Sequence, residues 1–238
     1  MPEFDANKFF EQAKISTKVR PDRFDSKAER SVATGLYLIM RDYGLDKILN
    51  LRLIPQQAID NYVDIKEDFF SDAQYERFLK NRTKWMKFDF IFEKEYYYNN
   101  EIHYEPVAVV EFDGPHHFES EYQRELDFFK NGIAIKIGAD IVRIDYRDHE
   151  GRLNADSIRN DEAGGIIKAI IKGYFTKSVN YRKEGKLINE INMKQFQYIV
   201  NRYTDAEKAE ESAEKKENYY FMLQTLYHMK ETEYVSPT

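Results

Sequence analysis

The chain alternates between two hydrophobic periods. In "FDSKAERSVATGLYLIM", residues 24–40, Ala33, Leu36 and Met40 recur at helical spacing with Val32 and Ile39 beside them. That predicts an amphipathic helix. "SDAQYERFLKNR", residues 71–82, predicts a second. The period then changes to two. In "KFDFIFEK", Phe88, Phe90 and Phe92 share one face, with Asp89 and Ile91 on the other. "EPVAVVEFDG" follows after Asn99-Asn100, a hairpin turn by residue type. "SEYQRELDFFKNGIAIKIG" reads as a helix ending near Gly138, "DIVRIDYR" as a short strand, and "DEAGGIIKAIIKGYF" as another helix. Residues 1–22 hold a short helical piece and a loop at Arg20-Pro21, and residues 45–70 give no clear period. Residues 181–238 read as helical and highly charged, with "AEKAEESAEKKEN" a solvated face. No internal repeat is present. The order α-α-β-β-α-β-α predicts an α/β domain over residues 1–178 with a helical C-terminal extension over 179–238.

Composition narrows the chemistry. A chain of 238 residues fits one large domain, or one domain with an appendage. It has no cysteine, which removes disulfides, thiolate metal sites and a thiol nucleophile. "MPEFDANKFFEQAK" lacks the apolar stretch of a secretion signal, and no apolar run approaches the roughly 20 residues of a membrane span. The expectation is a cytoplasmic protein with no membrane partner. A net charge of −6 argues against a basic coat over the whole surface and leaves room for a local basic patch.

The candidate chemistry lies in "VAVVEFDGPHHF", residues 107–118. An apolar strand runs into Glu111, Asp113, a Gly-Pro turn, His116 and His117. Alternate strand residues share a face, so Val109, Glu111 and Asp113 point one way. If the hairpin pairs antiparallel, Asp89 joins them. Carboxylates gathered this closely repel, and a divalent cation stabilises such a cluster; hard oxygen donors suit Mg2+ or Mn2+, with Asp89, Glu111 and Asp113 as ligands. Pairing of the same acids with Arg143, Lys87 or Lys130 is the competing explanation. On the helix that follows, Asp127 and Lys130 are three apart and share a face. The histidines can bind metal, donate to a phosphate or carry a proton near neutral pH.

Taken together, "KFDFIF", "VAVVEFDGPHHF", "RELDFFKNG" and "DIVRIDY" resemble the PD-(D/E)XK nuclease superfamily, most of all the branch holding very-short-patch repair endonucleases and phage homing endonucleases with an E-D-x-H-D pattern. The resemblance covers residues 25–147. It implies a restriction-endonuclease-like core, a mixed central sheet flanked by helices. It implies a site built from Glu29 on an early helix, Asp89 and Asp113 on two strands, His117, and Asp127 with Lys130 on the next helix. Val142-Arg143-Ile144 stands where that family's closing strand would be. One departure matters: Glu111-x-Asp113 replaces the usual (D/E)-x-K, so Lys130 or His117 must do the work of the missing strand lysine. Glu29 also fits a capping box with Ser26.

The implied activity is Mg2+- or Mn2+-dependent hydrolysis of DNA phosphodiesters, with restriction, repair, resolution or homing as its role and a phage or mobile element as one source. These residues do not separate DNA from RNA. Phosphate contacts would come from "KAIIKGYFTKSVNYRKEGK", where Lys168, Lys172, Lys177, Arg182, Lys183 and Lys186 are interleaved with aromatic residues. The alternative is a nuclease-like module that only binds nucleic acid or a protein partner.

Overall fold

Among the described residues, four strands form one mixed sheet in the order β1-β2-β3-β4. The computed structural model describes residues 26–62, 86–98, 100–149, 152–180 and 193–233. The expected helices in residues 1–22 and 71–82 lie outside these. Helix α1 (Lys27–Asp42) and the single turn α2 (Leu45–Ile48) lead into β1 (Leu51–Ala58). β2 (Lys87–Tyr98) and β3 (Glu101–Asp113) form a hairpin, followed by α3 (His116–Glu119), α4 (Glu121–Lys136) and β4 (Asp140–Asp145). The rest is helical: α5 (Ala155–Ser157), a π-helical turn (Ile158–Glu162), α6 (Ala163–Asn180), α7 (Met193–Ala209) and α8 (Ala213–Glu233).

The boundaries follow from local chemistry. Ser26 Oγ accepts from the Glu29 N–H at 3.1 Å and starts α1. Ser120 does the same for Gln123 in α4, at 3.4 Å. Asn100 turns the hairpin at φ 63°. Gly138 follows α4 at φ 72°, a conformation that suits glycine. The strand β1 was not legible as one, because Pro55 and the pair Gln56-Gln57 break the apolar alternation. An edge strand tolerates a proline, and among the described residues β1 is bonded only to β2.

β1-β2-β3 are antiparallel, whereas β4 lies parallel to β3, with α3 and α4 in the connection. Parallel neighbours need such a crossover. The two sheet faces carry different cores. The larger joins Phe90, Phe92, Ala108 and Val110 of the sheet to Val32 and Leu36 of α1 and Ile166, Ile167 and Ile170 of α6. The smaller joins Ile91 and Val109 to Leu126, Ile133 and Ala134 of α4. Phe88 departs from the expected row of three phenylalanines and is buried in this smaller core.

The C-terminal helices also enter the larger core, through Phe196, Val200, Tyr203, Met222 and Leu226. Arg202 donates to the Ile48 carbonyl at 2.9 Å and the Lys47 carbonyl at 2.5 Å, satisfying groups at the end of α2. Residues 211–214, within the stretch expected to be solvated, are exposed. Among the described residues no helix is long and apolar enough to cross a membrane.

Helix α6 lies directly on β3. A Cβ at Gly173 would meet the Val107 carbonyl oxygen at 1.8 Å. Gly173→Ala should therefore destabilise toward the upper end of the roughly 1–3 kcal/mol that overpacking costs. Chemical denaturation of the two proteins measures this, and an unchanged midpoint would show that the helix can withdraw freely.

Candidate functional site

The sheet end formed by β2 and β3 gathers the acids. The register Phe90↔Val110 carries Asp89 across from Glu111. The Asp89 N–H donates to Glu111 Oε1 at 3.2 Å, and Asp89 Oδ2 accepts from the Phe112 N–H at 2.9 Å. Asp113 ends β3. The Gly114-Pro115 turn then sends the chain into α3, placing His117 one turn beyond Asp113, and into α4. Helix α4 returns over the same sheet face and carries Gln123, Asp127, Lys130 and Asn131 at helical spacing.

Two groupings result. In the first, His117 Nδ1 lies 2.8 Å from Asp127 Oδ2 and 3.4 Å from Asp113 Oδ1. A carboxylate only accepts, so the bond to Asp127 puts a proton on Nδ1. Gln123 Nε2 donates to Asp127 Oδ1 at 3.3 Å. Arg143 of β4 closes this group: Nη1 is 2.5 Å from Asp113 Oδ1 and 3.5 Å from Asp127 Oδ1, while Nε and Nη2 donate to Asn131 Oδ1. In the second grouping, Lys130 Nζ donates to Glu111 Oε2 at 2.5 Å, with Glu111 wholly buried.

The electrostatics differ between the two. Burial pushes the Glu111 carboxyl up to about 7 against the pull of Lys130. Burial also works against the Lys130 ammonium, but Glu111 and Asp89 outweigh it and hold its pKa above the ordinary range. Desolvation raises the Asp113 carboxyl even with Arg143 beside it. Asp127 goes the other way: its partial burial is overcome by the His117 hydrogen bond and Arg143, and its pKa falls. The exposed His116 imidazole is lowered by desolvation and by neighbouring His117, whose ring centroid is 4.2 Å away.

Of the residues expected to act together, Asp89, Glu111, Asp113, His117, Asp127 and Lys130 lie at this one sheet end. Glu29 is not in either grouping. Its N–H takes part in the α1 cap, and its carboxylate accepts from Gln56 Nε2 at 3.3 Å. Lys168 and Lys172 are exposed on α6, the helix packed on the other sheet face, and line a cleft of about 380 Å³ with α8; Lys172 lies 3.4 Å from Asp140. The side chain of Lys177 and all of Arg182, Lys183 and Lys186 lie outside the described residues. Sequence reading left out Gln123, Asn131 and Gln56 and gave Arg143 no role beyond that of a counter-ion. The first two were accessible from the polar stripe 123-127-130-131 on α4.

The pairing of acids with Arg143 and Lys130, weighed above against metal binding, is present. So is a metal-competent set. One donor atom each from Asp113, His117 and Asp127 lie within 4.8 Å of one another, a span that a single divalent ion can bridge. It differs from the expected trio of Asp89, Glu111 and Asp113 because Lys130 occupies Glu111. Two carboxylates and an imidazole suit a borderline or hard divalent ion, which would enter by exchange for the Arg143 contact and the Nδ1 proton. The site rests on this geometry alone: comparison with known protein families, with curated proteins and with solved structures finds no match to the chain.

Proposed function

We propose that this protein is a metal-dependent endonuclease of the PD-(D/E)XK type that hydrolyses DNA phosphodiesters with Mg2+ or Mn2+. The observation that carries the reading is the convergence of Asp113, His117 and Asp127 on one point beside Asp89 and Glu111. A binding module has no need of five such groups at one sheet end. The mixed sheet with helices packed on both faces supports the same reading, since a mixed central sheet flanked by helices is what the sequence resemblance implies.

Asp113, His117 and Asp127 would hold the ion, which when bound supplies positive charge to the phosphate and acidifies its water. The chain's own groups do the rest. Lys130 keeps its proton, so it serves as donor and fixed charge, not as base. It approaches from α4 onto Glu111 and brings a positive charge to a strand end that has Asp113 in place of the usual lysine. Asp127 orients the His117 ring, and Gln123 in turn holds Asp127 through its Oδ1. His116 is exposed and neutral near pH 7, and takes the proton released by the attacking water. Arg143 faces both Asp113 and Asp127, and once displaced from Asp113 it supplies a donor to the phosphate.

The test is direct. Supercoiled plasmid, linear duplex, single-stranded DNA and RNA are incubated with Mg2+, Mn2+ or EDTA. The expected result is metal-dependent nicking or cutting of DNA that EDTA abolishes. Full-rate cleavage in EDTA would refute the metal role. Arg143 and Lys130 already neutralise acids here, which favours a second reading if neither metal gives cleavage of any substrate: a nuclease-like module that binds nucleic acid or protein.

A further inference from the structure

Gln56 is out of place in its strand. Its φ is +52°, in the left-handed region that favours glycine. The other non-glycine residues with positive φ among those described are Asn50 and Asn100, and asparagine tolerates the conformation through its short polar side chain. A chain that needed only a bend at position 56 would be better served by glycine or asparagine. Strain of this kind persists where the surrounding structure holds it, and it concentrates at functional sites.

The location gives the strain a use. β1 pairs with β2 through Pro55↔Phe90 and Gln57↔Phe88, so Gln56 falls across from Asp89. Both ends of its amide are engaged by charge. Nε2 donates to Glu29 Oε2 at 3.3 Å, and Oε1 accepts from Lys87 Nζ at 2.8 Å. Lys87 is two residues from Asp89 on the same strand, beside the point where the alternation breaks at Phe88. One amide thus bridges a carboxylate on α1 and an ammonium on β2 at the Asp89 end of the acid row. The bridge needs the length of glutamine, since asparagine is one methylene shorter, and it needs both a donor and an acceptor, which glutamate at neutral pH lacks.

We propose that Gln56 is a positioning residue of this site: it fixes the Lys87 ammonium as a phosphate contact beside Asp89 and anchors it to Glu29. The proposal rests on the endonuclease reading. Lys87 then touches the substrate backbone and Gln56 acts through it. The left-handed backbone occurs at the residue whose amide lies between these two charges.

Gln56→Gly separates the two roles, because glycine takes the same backbone conformation without strain and removes only the amide. The wild type, Gln56→Gly, Lys87→Ala and the double variant are compared for DNA cleavage with Mn2+ and for thermal melting. Gln56→Gly should melt at the same temperature as the wild type or higher, while kcat/KM falls by about tenfold, mainly through a raised KM. Lys87→Ala should give a similar loss. In the double variant the loss should be no greater than in Lys87→Ala alone, the non-additivity of residues acting as one unit. Losses that multiply in the double variant would overturn the proposal. So would a Gln56→Gly protein with unchanged kcat/KM, whether or not it melts lower. If the wild type cuts nothing, the endonuclease reading and this proposal fall together; if it cuts and Gln56→Gly cuts equally well, the proposal alone falls.

Discussion

Asp113→Asn should lower DNA cleavage by at least the roughly 10²-fold that follows loss of one electrostatic element of a site, yet leave the metal-free protein as stable as the wild type or more so. The geometry at first argues otherwise. Asp113 sits 2.5 Å from Arg143 and is buried, and removing one partner of a buried ion pair commonly costs about 3–5 kcal/mol. The balance at this carboxylate runs the other way, however. Desolvation outweighs Arg143, and the Asp113 pKa is raised. A carboxyl whose folded pKa exceeds its unfolded value loses stability as pH rises through that interval, so at neutral pH its charge is a burden to the fold. Asparagine keeps the shape and removes that burden. Arg143 retains Asp127 at 3.5 Å and Asn131 as partners. Mg2+ or Mn2+ should raise the wild-type melting temperature by preferential binding to the native state, and that increment should shrink in the variant. Thermal melts of both proteins with and without Mn2+ decide the matter. A large destabilisation that metal does not alter would make Asp113 a scaffold residue paired to Arg143.

Much of this site could be read from sequence because short-range rules govern it. Period-two alternation put Asp89, Glu111 and Asp113 on one sheet face, and the register Phe90↔Val110 keeps them there. The 127-to-130 spacing put Asp127 and Lys130 on one side of α4, and both meet the strand ends. What could not be read is which acid takes which cation. Glu111 and Asp113 look alike along the chain. In space one is opposite Asp89 and under Lys130, and the other is at the strand tip beside His117 and Arg143. That difference is set by where α4 crosses the sheet, a tertiary property with no local signature. β1 escaped notice for a related reason. Its apolar residues Leu51, Leu53 and Ile54 are too few and too interrupted by Pro55 and Gln56 to show a period, and the strand exists because β2 offers it an edge. The C-terminal helices read as helical and highly charged, and the charge hid what packing shows, that Tyr203 and Met222 are wholly buried in the larger core.

Lys130 and Glu111 admit a sharper separation of stability from chemistry. Lys130→Met leaves Glu111 wholly buried without its nearest cation. Breaking a buried pair from one side costs about 3–5 kcal/mol. The loss here should fall toward the lower end, because a carboxyl already pushed up to about 7 by burial can take a proton when the ammonium is gone. Cleavage should fall with it if, as the endonuclease reading has it, Lys130 stands in for the missing strand lysine. The single variant does not distinguish a lost donor from a disturbed fold. Lys130→Met with Glu111→Gln does. Glutamine buries no charge and keeps an acceptor for the Asp89 N–H, so the double variant, which leaves no unpaired buried charge, should recover most of what the single variant lost. Its cleavage should stay as low as that of Lys130→Met, because glutamine restores packing and not the positive charge. Urea denaturation gives the first quantity, and plasmid nicking with Mn2+, under conditions where all the proteins are folded, gives the second. A double variant that regains cleavage along with stability would reduce Lys130 to a counter-ion for Glu111. A single variant as stable as the wild type would mean that Glu111 is protonated in the native protein and that the 2.5 Å contact carries little of the fold's stability.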